Sequence, residues 1–391
     1  MSYSRGGRRR FGRRSSSKKN TTGREGRLKR YTNSAQAVVA ELPEVKIEHQ
    51  FTDFALDDRL QKNIAQRGYE EPTPIQDQAI PELLAGKDVV GIANTGTGKT
   101  AAFLLPFIDK VLQDSDQGVL ILAPTRELAL QIRDEFVEFA KDLPIGVSVC
   151  IGGTSMDRQI KQLAQNPHFV IATPGRLIDL LKRRHFDPEM FTNIVLDEVD
   201  RMLDIGFRQD ILFLISKLPR KRHAAFFSAT SDSATDEIMR KLMDKPVKIS
   251  VKQAETSHHV EQKALPVKIG QDKVEMLHDI LIQGDVEKAI IFGRTKHGIN
   301  KLERKLKERG FKVIAIHGNK SQGARQRACV RLKDGHVQAL LATDVAARGI
   351  DIDDVSHVIN YDEPQSYADY VHRIGRTGRA GKVGTAITFV E

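Results

Sequence analysis

Tryptophan is absent from this chain, and cysteine nearly so: only Cys150 and Cys329 occur. Two cysteines so far apart make neither a disulfide framework nor a metal-binding quartet, and the expected compartment is the cytoplasm. There is no run of about 18 apolar residues, the length a membrane-spanning helix needs. No apolar segment follows the N-terminal charges, so a secretory signal is not expected. Most of the chain also lacks charge imbalance. The net charge of +10 comes from residues 1–30, with 12 Lys/Arg against the single acid Glu25; the rest holds 49 basic and 50 acidic residues. What is present is length and apolar content: 391 residues, 40% hydrophobic, enough for two or three domains with cores.

Residues 1–30 have few apolar groups to bury and read as disordered. Their natural partner is nucleic-acid phosphate, bound by counterion release without sequence preference. Arg5-Gly6-Gly7-Arg8 resembles an RGG-type RNA-binding element. A merely solubilising tail is the plainer alternative. A transit peptide fits the Arg- and Ser-rich, acid-poor composition but not the Gly-rich, non-amphipathic pattern. Residues 31–50 are a mixed connector, so tail and connector together span 1–50.

From Phe51 onward short apolar runs alternate with helical patterns. LDDRLQKNIAQRG spaces Leu56, Leu60 and Ile64 at helical intervals. DVVGIAN, GVLILAP, VSVCIGG, HFVIATP, NIVLDE, HAAFFSAT and VKISV read as strands, apolar on both faces as in a parallel sheet covered by helices. The polar stretch 252–262 reads as a linker. The alternation then restarts with KAIIFG, FKVIAIHG, VQALLATD, VSHVINYD and VGTAITFV. The fold class is therefore α/β, with one domain over 51–251 and a second over 263–391.

Ala93-Asn94-Thr95-Gly96-Thr97-Gly98-Lys99-Thr100 lies between a strand and a helical pattern, the context that gives a P-loop its meaning. Gly96 and Gly98 let backbone N–H groups approach phosphate, Lys99 reaches the β and γ phosphates, and the Thr100 hydroxyl ligates Mg²⁺. The helix N-terminus adds a favourable dipole. The pattern opens with Ala93 where the strict motif has Gly.

About a hundred residues later the apolar run NIVL ends in Asp197-Glu198-Val199-Asp200. The cluster has three readings: a solvated loop, a caspase-type cleavage site, or a metal-and-water site facing phosphate. A strand end inside a packed sheet is closed to a protease. A P-loop enzyme needs a second acidic element to hold Mg²⁺ through water. Asp197 fits the Mg²⁺ side, and Glu198 fits the base that orients the attacking water and shares in holding the metal.

These residues carry a resemblance to the DEAD-box ATP-dependent RNA helicases of superfamily 2, extending from Phe51 to Glu391. It implies two tandem RecA-like parallel-sheet domains with the nucleotide site in the cleft between them, behind a disordered basic tail. GYEEPTPIQ resembles the adenine-reading Q motif. By that resemblance Gln76 bonds the adenine edge, Tyr69 stacks on the ring and Phe51 supports the motif. An amide can pair bidentately with adenine. Thr95, Gly96, Thr97, Gly98, Lys99 and Thr100 complete the first-domain nucleotide contacts.

PTREL, GG and TPGR resemble RNA-backbone motifs, which places Pro124, Arg126, Gly153, Thr173, Gly175 and Arg176 on RNA. Each lies at a strand end, where α/β sheets bind ligands. Ser228-Ala229-Thr230 resembles motif III; Asp200, Ser228, Thr230 and His372 are the implied coupling set between the domains. In the second domain, IIFGRTK, HGNKSQGARQR and TDVAARGID resemble motifs that place Thr295, His317, Gly318, Gln322, Arg325, Thr343 and Arg348 on RNA and Asp351 on the ATP ribose. HRIGRTGR resembles motif VI, with Arg376 and Arg379 as arginine fingers on the γ-phosphoryl group. The catalytic set is then Lys99, Glu198, Arg376 and Arg379.

The resemblance implies ATP and Mg²⁺ as cofactors, domain closure on RNA, and local strand release by bending one strand out of A-form geometry. A monomer is the default expectation, and ribosomal or messenger-ribonucleoprotein proteins are candidate partners. Rival readings are a non-unwinding RNA clamp or annealing scaffold, a DNA helicase, and an RNA-binding protein without enzymatic activity. The last would require damaged ATP-site residues, and none is missing. Three departures stand out. Val199 replaces the family's Ala, with little effect expected on the chemistry. Leu332 replaces a usual Phe as a core exchange. The sequence ends at Glu391, where the family continues into a closing helix.

Overall fold

Apolar runs this short can be buried on both faces only in a parallel sheet sandwiched by helices. The protein, in a computed structural model that describes residues 47–93, 96–230, 233–251, 260–268, 270–347, 355–378 and 383–391, forms two such sheets. The first contains β1 (Val89–Ala93), β2 (Gly118–Leu122), β3 (Val147–Cys150), β4 (Phe169–Ala172), β5 (Phe191–Leu196), β6 (His223–Ser228) and β7 (Val247–Val251), in the order β3-β4-β2-β5-β6-β1-β7. The second contains β8 (Val260–Pro266), β9 (Ala289–Phe292), β10 (Val313–Ile316), β11 (Ala339–Ala342), β12 (His357–Asn360) and β13 (Gly384–Val390), in the order β10-β11-β9-β12-β13-β8. Every ladder in both sheets is parallel.

Side-chain alternation divides each strand between two cores. Along β2, Val119 and Ile121 join the cluster of Phe103, Phe136 and Phe169, while Leu120 and Leu122 join Val199, Met202 and Phe226 on the opposite face. Along β11, Ala339 and Leu341 face one core, and Leu340 and Ala342 face another that also holds Leu332. Leu332 is fully buried, as a core exchange requires.

The connector is shorter than the polar stretch 252–262 suggests. Val260, Glu261 and Gln262 already belong to β8, paired with Gly384, Thr385 and Ala386 of β13. An edge strand exposes alternate residues, so its sequence reads as polar. The tail and connector up to residue 46, and the linker over 252–259, lie outside the described residues. No helix among the described residues is long and apolar enough to cross a membrane.

The sheet order positions the site. β1, β6 and β5 are neighbours, and their carboxyl ends deliver the P-loop, Ser228 and the acidic cluster. β2, β4 and β3, on the other side of the same sheet, end at the Pro124, Thr173 and Gly152-Gly153 segments.

Candidate nucleotide and nucleic-acid site

The P-loop is fitted against the Gln76 segment. Gly98, the residue before helix Lys99–Gln113, has φ +87, where a Cβ is strained, and a Cβ there would also collide with the Gln76 amide. Gln76 is 2% exposed; its Oε1 accepts from Thr73 N at 2.9 Å, and its Nε2 donates to the Gly98 carbonyl at 3.0 Å. One N–H and one lone pair of the amide are left for a base edge. Lys99 is buried and donates from Nζ to the Ala93 carbonyl at 2.9 Å. Gly96 is exposed, Thr97 is buried and Thr100 is half-buried; Thr95 lies outside the described residues.

The aromatic part of this segment holds Tyr69 by edge contacts. Its ring meets Phe51 edge-on at 5.4 Å and Phe139 edge-on at 5.5 Å, and the Arg67 guanidinium lies 5.4 Å from its centre. Tyr69 is thus part of a packed aromatic wall, with burial pushing its phenol pKa up. Phe51 is buried and supports that wall. Asp77 anchors the chain just before Phe51, accepting from Glu48 N at 3.2 Å and His49 N at 3.0 Å.

The acidic cluster is buried. Asp197 is 2% exposed, and burial, only partly offset by Lys99, pushes its pKa up to about 7. Glu198 is also buried; burial would raise its pKa, but the Arg201 guanidinium, then Lys99 and Arg376, hold it below the usual carboxylate value. Glu198 adopts φ +50, a conformation uncommon outside glycine, and its Oε2 accepts from Arg201 Nη1. Asp200 Oδ2 accepts from Ala229 N at 3.2 Å and from the Thr230 hydroxyl at 3.4 Å, so the SAT segment is tied to the acidic cluster. The Ser228 hydroxyl is buried without a partner among the described residues. His372 lines a small cavity with Asp344, Arg373 and Arg376.

Among the described residues no group of three His, Cys, Asp or Glu side chains is arranged to hold a metal directly. Mg²⁺ asks for less: it keeps several waters and takes one or two carboxylates plus phosphate oxygens. Thr100, Asp197 and Glu198 supply hard oxygen donors of that kind. Asp197, buried with its charge undercompensated, is the carboxylate a cation would relieve.

A second cluster gathers three arginines. Arg126 packs against Gly152 and Gly153; a Cβ on Gly153 would collide with its guanidinium. Burial lowers the Arg126 pKa, and the nearby charges of Arg325 and Arg176 lower it further. Arg325 comes from the second domain, with Nη2 2.8 Å from Glu127 Oε1 and 2.9 Å from the Ala346 carbonyl. Arg176 reaches the Thr154 carbonyl at 3.4 Å. Pro124 and Thr173 are buried at the neighbouring strand ends, and Gly175 has open space where a side chain would stand.

Second-domain placements are mixed. Thr295 caps helix Lys296–Glu308, its Oγ1 accepting from Gly298 N at 3.0 Å. Gly318 is exposed and Thr343 half-buried. The RNA contact expected of His317 meets a different arrangement: Nε2 lies 2.9 Å from Asn300 Oδ1, and Nδ1 accepts from Asn319 N at 3.3 Å. With both ring nitrogens engaged, this buried histidine ties its turn to helix Lys296–Glu308. Gln322 begins helix Gln322–Lys333. Arg348, Asp351 and Arg379 lie outside the described residues. Arg376 is buried, and its charge bears on Glu198 of the first domain.

Two residues escaped sequence reasoning. Arg201 pairs with Glu198, although its place on one short helix turn was legible as an i, i+3 spacing. Arg373 binds Asp344 bidentately at 2.6 and 2.9 Å, Asn360 Oδ1 at 3.1 Å and the Asp362 carbonyl at 2.7 Å.

A DEAD/DEAH box helicase model matches residues 73–238, and a helicase conserved C-terminal domain model matches residues 272–381. The RNA helicase CrhR of Synechocystis is 42% identical over 87% of this chain and 70% of that protein. The chain belongs to the DEAD/DEAH box helicase family. Among its other DEAD-box relatives, the ATP-dependent RNA helicase CshA of Listeria monocytogenes is 44% identical over 87% of this chain and 66% of that protein. The chain thus spans about two thirds of the length of these curated relatives. Yeast Dbp5 bound to RNA and ADP BeF3 is 32% identical, with a TM-score of 0.78 over 88% of this chain and 90% of that chain. A DEAD box protein from Methanococcus jannaschii is 35% identical but has a TM-score of 0.51, over 88% of this chain and 94% of that one. The overall shape of this DEAD-box chain is therefore nearer to the RNA- and nucleotide-bound yeast form, although the sequence is not.

Proposed function

We propose that this protein is an ATP-dependent RNA helicase: an RNA-stimulated ATPase that closes two domains on an RNA backbone and remodels short duplexes. One observation carries the reading. The P-loop lysine, the acidic pair and the SAT segment leave three adjacent strand ends, and Arg376 brings its charge to Glu198 from the other domain. That is a site completed by two domains, as hydrolysis gated by closure requires.

In this reading Lys99 leaves the Ala93 carbonyl for the β and γ phosphates, and Gln76 with Phe51 and Tyr69 frames the adenine. Thr100 and Asp197, with Glu198 through water, would hold Mg²⁺, which when bound neutralises phosphate charge. Glu198 accepts a hydrogen bond from the attacking water. Arg376, and Arg379 beside it in sequence, stabilise charge on the transferring phosphoryl group. Asp200 ties the SAT segment to that centre, and His372 extends the link to the second domain. Asp351 is proposed for the ribose.

Arg126, Arg176 and Arg325 form the core of the proposed RNA groove, with Pro124, Gly153, Thr173, Gly175, Thr295, Gly318, Gln322, Thr343 and Arg348 along it. Such contacts go to phosphate and sugar, so sequence preference should be low. The names and bound states of the relatives support RNA as the substrate. Glu198→Gln is the test: turnover should fall at least about a hundredfold while ATP and RNA still bind. A variant hydrolysing ATP at the wild-type rate would remove Glu198 from its role.

A further inference from the structure

Arg201 is buried where a cation is costly. It is 5% exposed on the short helix Val199–Ile205, beside the fully buried Val199 and Met202. Of its five N–H donors, Nη1 binds Glu198 Oε2, and Nε is buried with no partner among the described residues. A buried guanidinium with a single anchor is destabilising relative to an apolar side chain of similar volume. Stability alone therefore gives no reason for arginine here. Its one side-chain hydrogen bond among the described residues is to the carboxylate at the centre of the proposed chemistry.

Three cations face Glu198: Arg201, Lys99 and Arg376. They differ in how permanently they do so. Arg376 belongs to the second domain. Lys99 is shared with the Ala93 carbonyl here and with phosphate in the proposed reaction. Arg201 sits on the helix that Glu198 caps, three residues along, so its pairing with Glu198 needs neither the second domain nor a phosphate. The backbone contributes as well, since φ +50 at Glu198 fixes the direction in which its side chain leaves the chain.

We infer that Arg201 is a positioning residue for hydrolysis. It clamps Oε2 of Glu198, leaving Oε1, which accepts no hydrogen bond among the described residues, as the oxygen presented to the attacking water. Arg201 does not touch ATP, and it acts through Glu198 alone. The inference rests on the proposed role of Glu198.

The test is a double-mutant cycle on RNA-stimulated ATP hydrolysis by the full chain, using Arg201→Met, Arg201→Lys, Glu198→Gln and the Glu198→Gln/Arg201→Met pair. Arg201→Met should lower kcat by about 10- to 100-fold, with the KM for ATP and the affinity for single-stranded RNA changed less than about threefold. Arg201→Lys should recover part of kcat. On the Glu198→Gln background, Arg201→Met should change the residual rate less than about twofold, because the group it positions is gone. Should Arg201→Met fail to melt cooperatively, Arg201→Gln carries the same cycle. Wild-type kcat in the Met or Gln variant, beside an inactive Glu198→Gln, would overturn the inference while sparing the role of Glu198. A loss repeated in full on the Glu198→Gln background would overturn it too, by showing a merely structural effect. A fully active Glu198→Gln would overturn both.

Discussion

The two walls of the cleft are built differently. On the first-domain wall three charged groups already have internal partners: Lys99 on the Ala93 carbonyl, Glu198 on Arg201, and Asp200 on Ala229 N and the Thr230 hydroxyl. On the second-domain wall two arginines one turn apart have opposite surroundings. Arg373 is 2% exposed, locked by Asp344, Asn360 and the Asp362 carbonyl, with the Phe292 ring 5.0 Å away. Arg376 instead brings its charge across to Glu198, as Arg325 does to Glu127. The first domain thus stores a preorganised acidic site, and the second supplies cations that count only when the domains meet. Preorganised dipoles and charges are what low-dielectric catalysis uses best.

The contrast between Arg376 and Arg373 can be broken experimentally, and the largest effect should come from Arg376. Arg376→Ala should reduce RNA-stimulated kcat by about a thousandfold or more, the loss expected if it acts as the proposed arginine finger. Steady-state hydrolysis checks this. Arg373→Ala should act on stability first. Leaving Asp344 without its bidentate partner in a mostly buried site should destabilise the second domain by about 3–5 kcal/mol. Calorimetry should then show a lower-melting transition for the second domain, with the first unchanged.

Those two arginines also show what the sequence could and could not say. The string HRIGRTGR is legible as a motif, but nothing in it separates the arginine that braces from the one that reaches across. The difference depends on Asp344 and Asn360, which only the parallel sheet order brings beside Arg373. The same holds for His317, whose ring nitrogens lie against Asn300 and Asn319, partners that the motif alone does not name. Legible without tertiary information were features encoded by local pattern. The P-loop glycines are placed by their left-handed conformations, and the strands by apolar runs ending in functional residues. β8 was missed because an edge strand need not be apolar.

A smaller effect sharpens the idea that the first-domain wall is preorganised by its core. Val199 is fully buried between Glu198 and Asp200. Val199→Ala should cost about 1–2 kcal/mol of first-domain stability for the methyl groups removed, with kcat within twofold of wild type. Chemical denaturation and the hydrolysis assay separate the two quantities. A large change in kcat would mean that Val199 tunes Glu198 directly.

ATP hydrolysis by the full chain, measured with no nucleic acid, with single-stranded RNA, and with single-stranded DNA of the same length, tests the proposed function most directly. Hydrolysis should be slow alone, strongly stimulated by RNA and little stimulated by DNA. Full stimulation by DNA would contradict the RNA assignment, and no hydrolysis under any of the three conditions would contradict the two-domain ATPase itself.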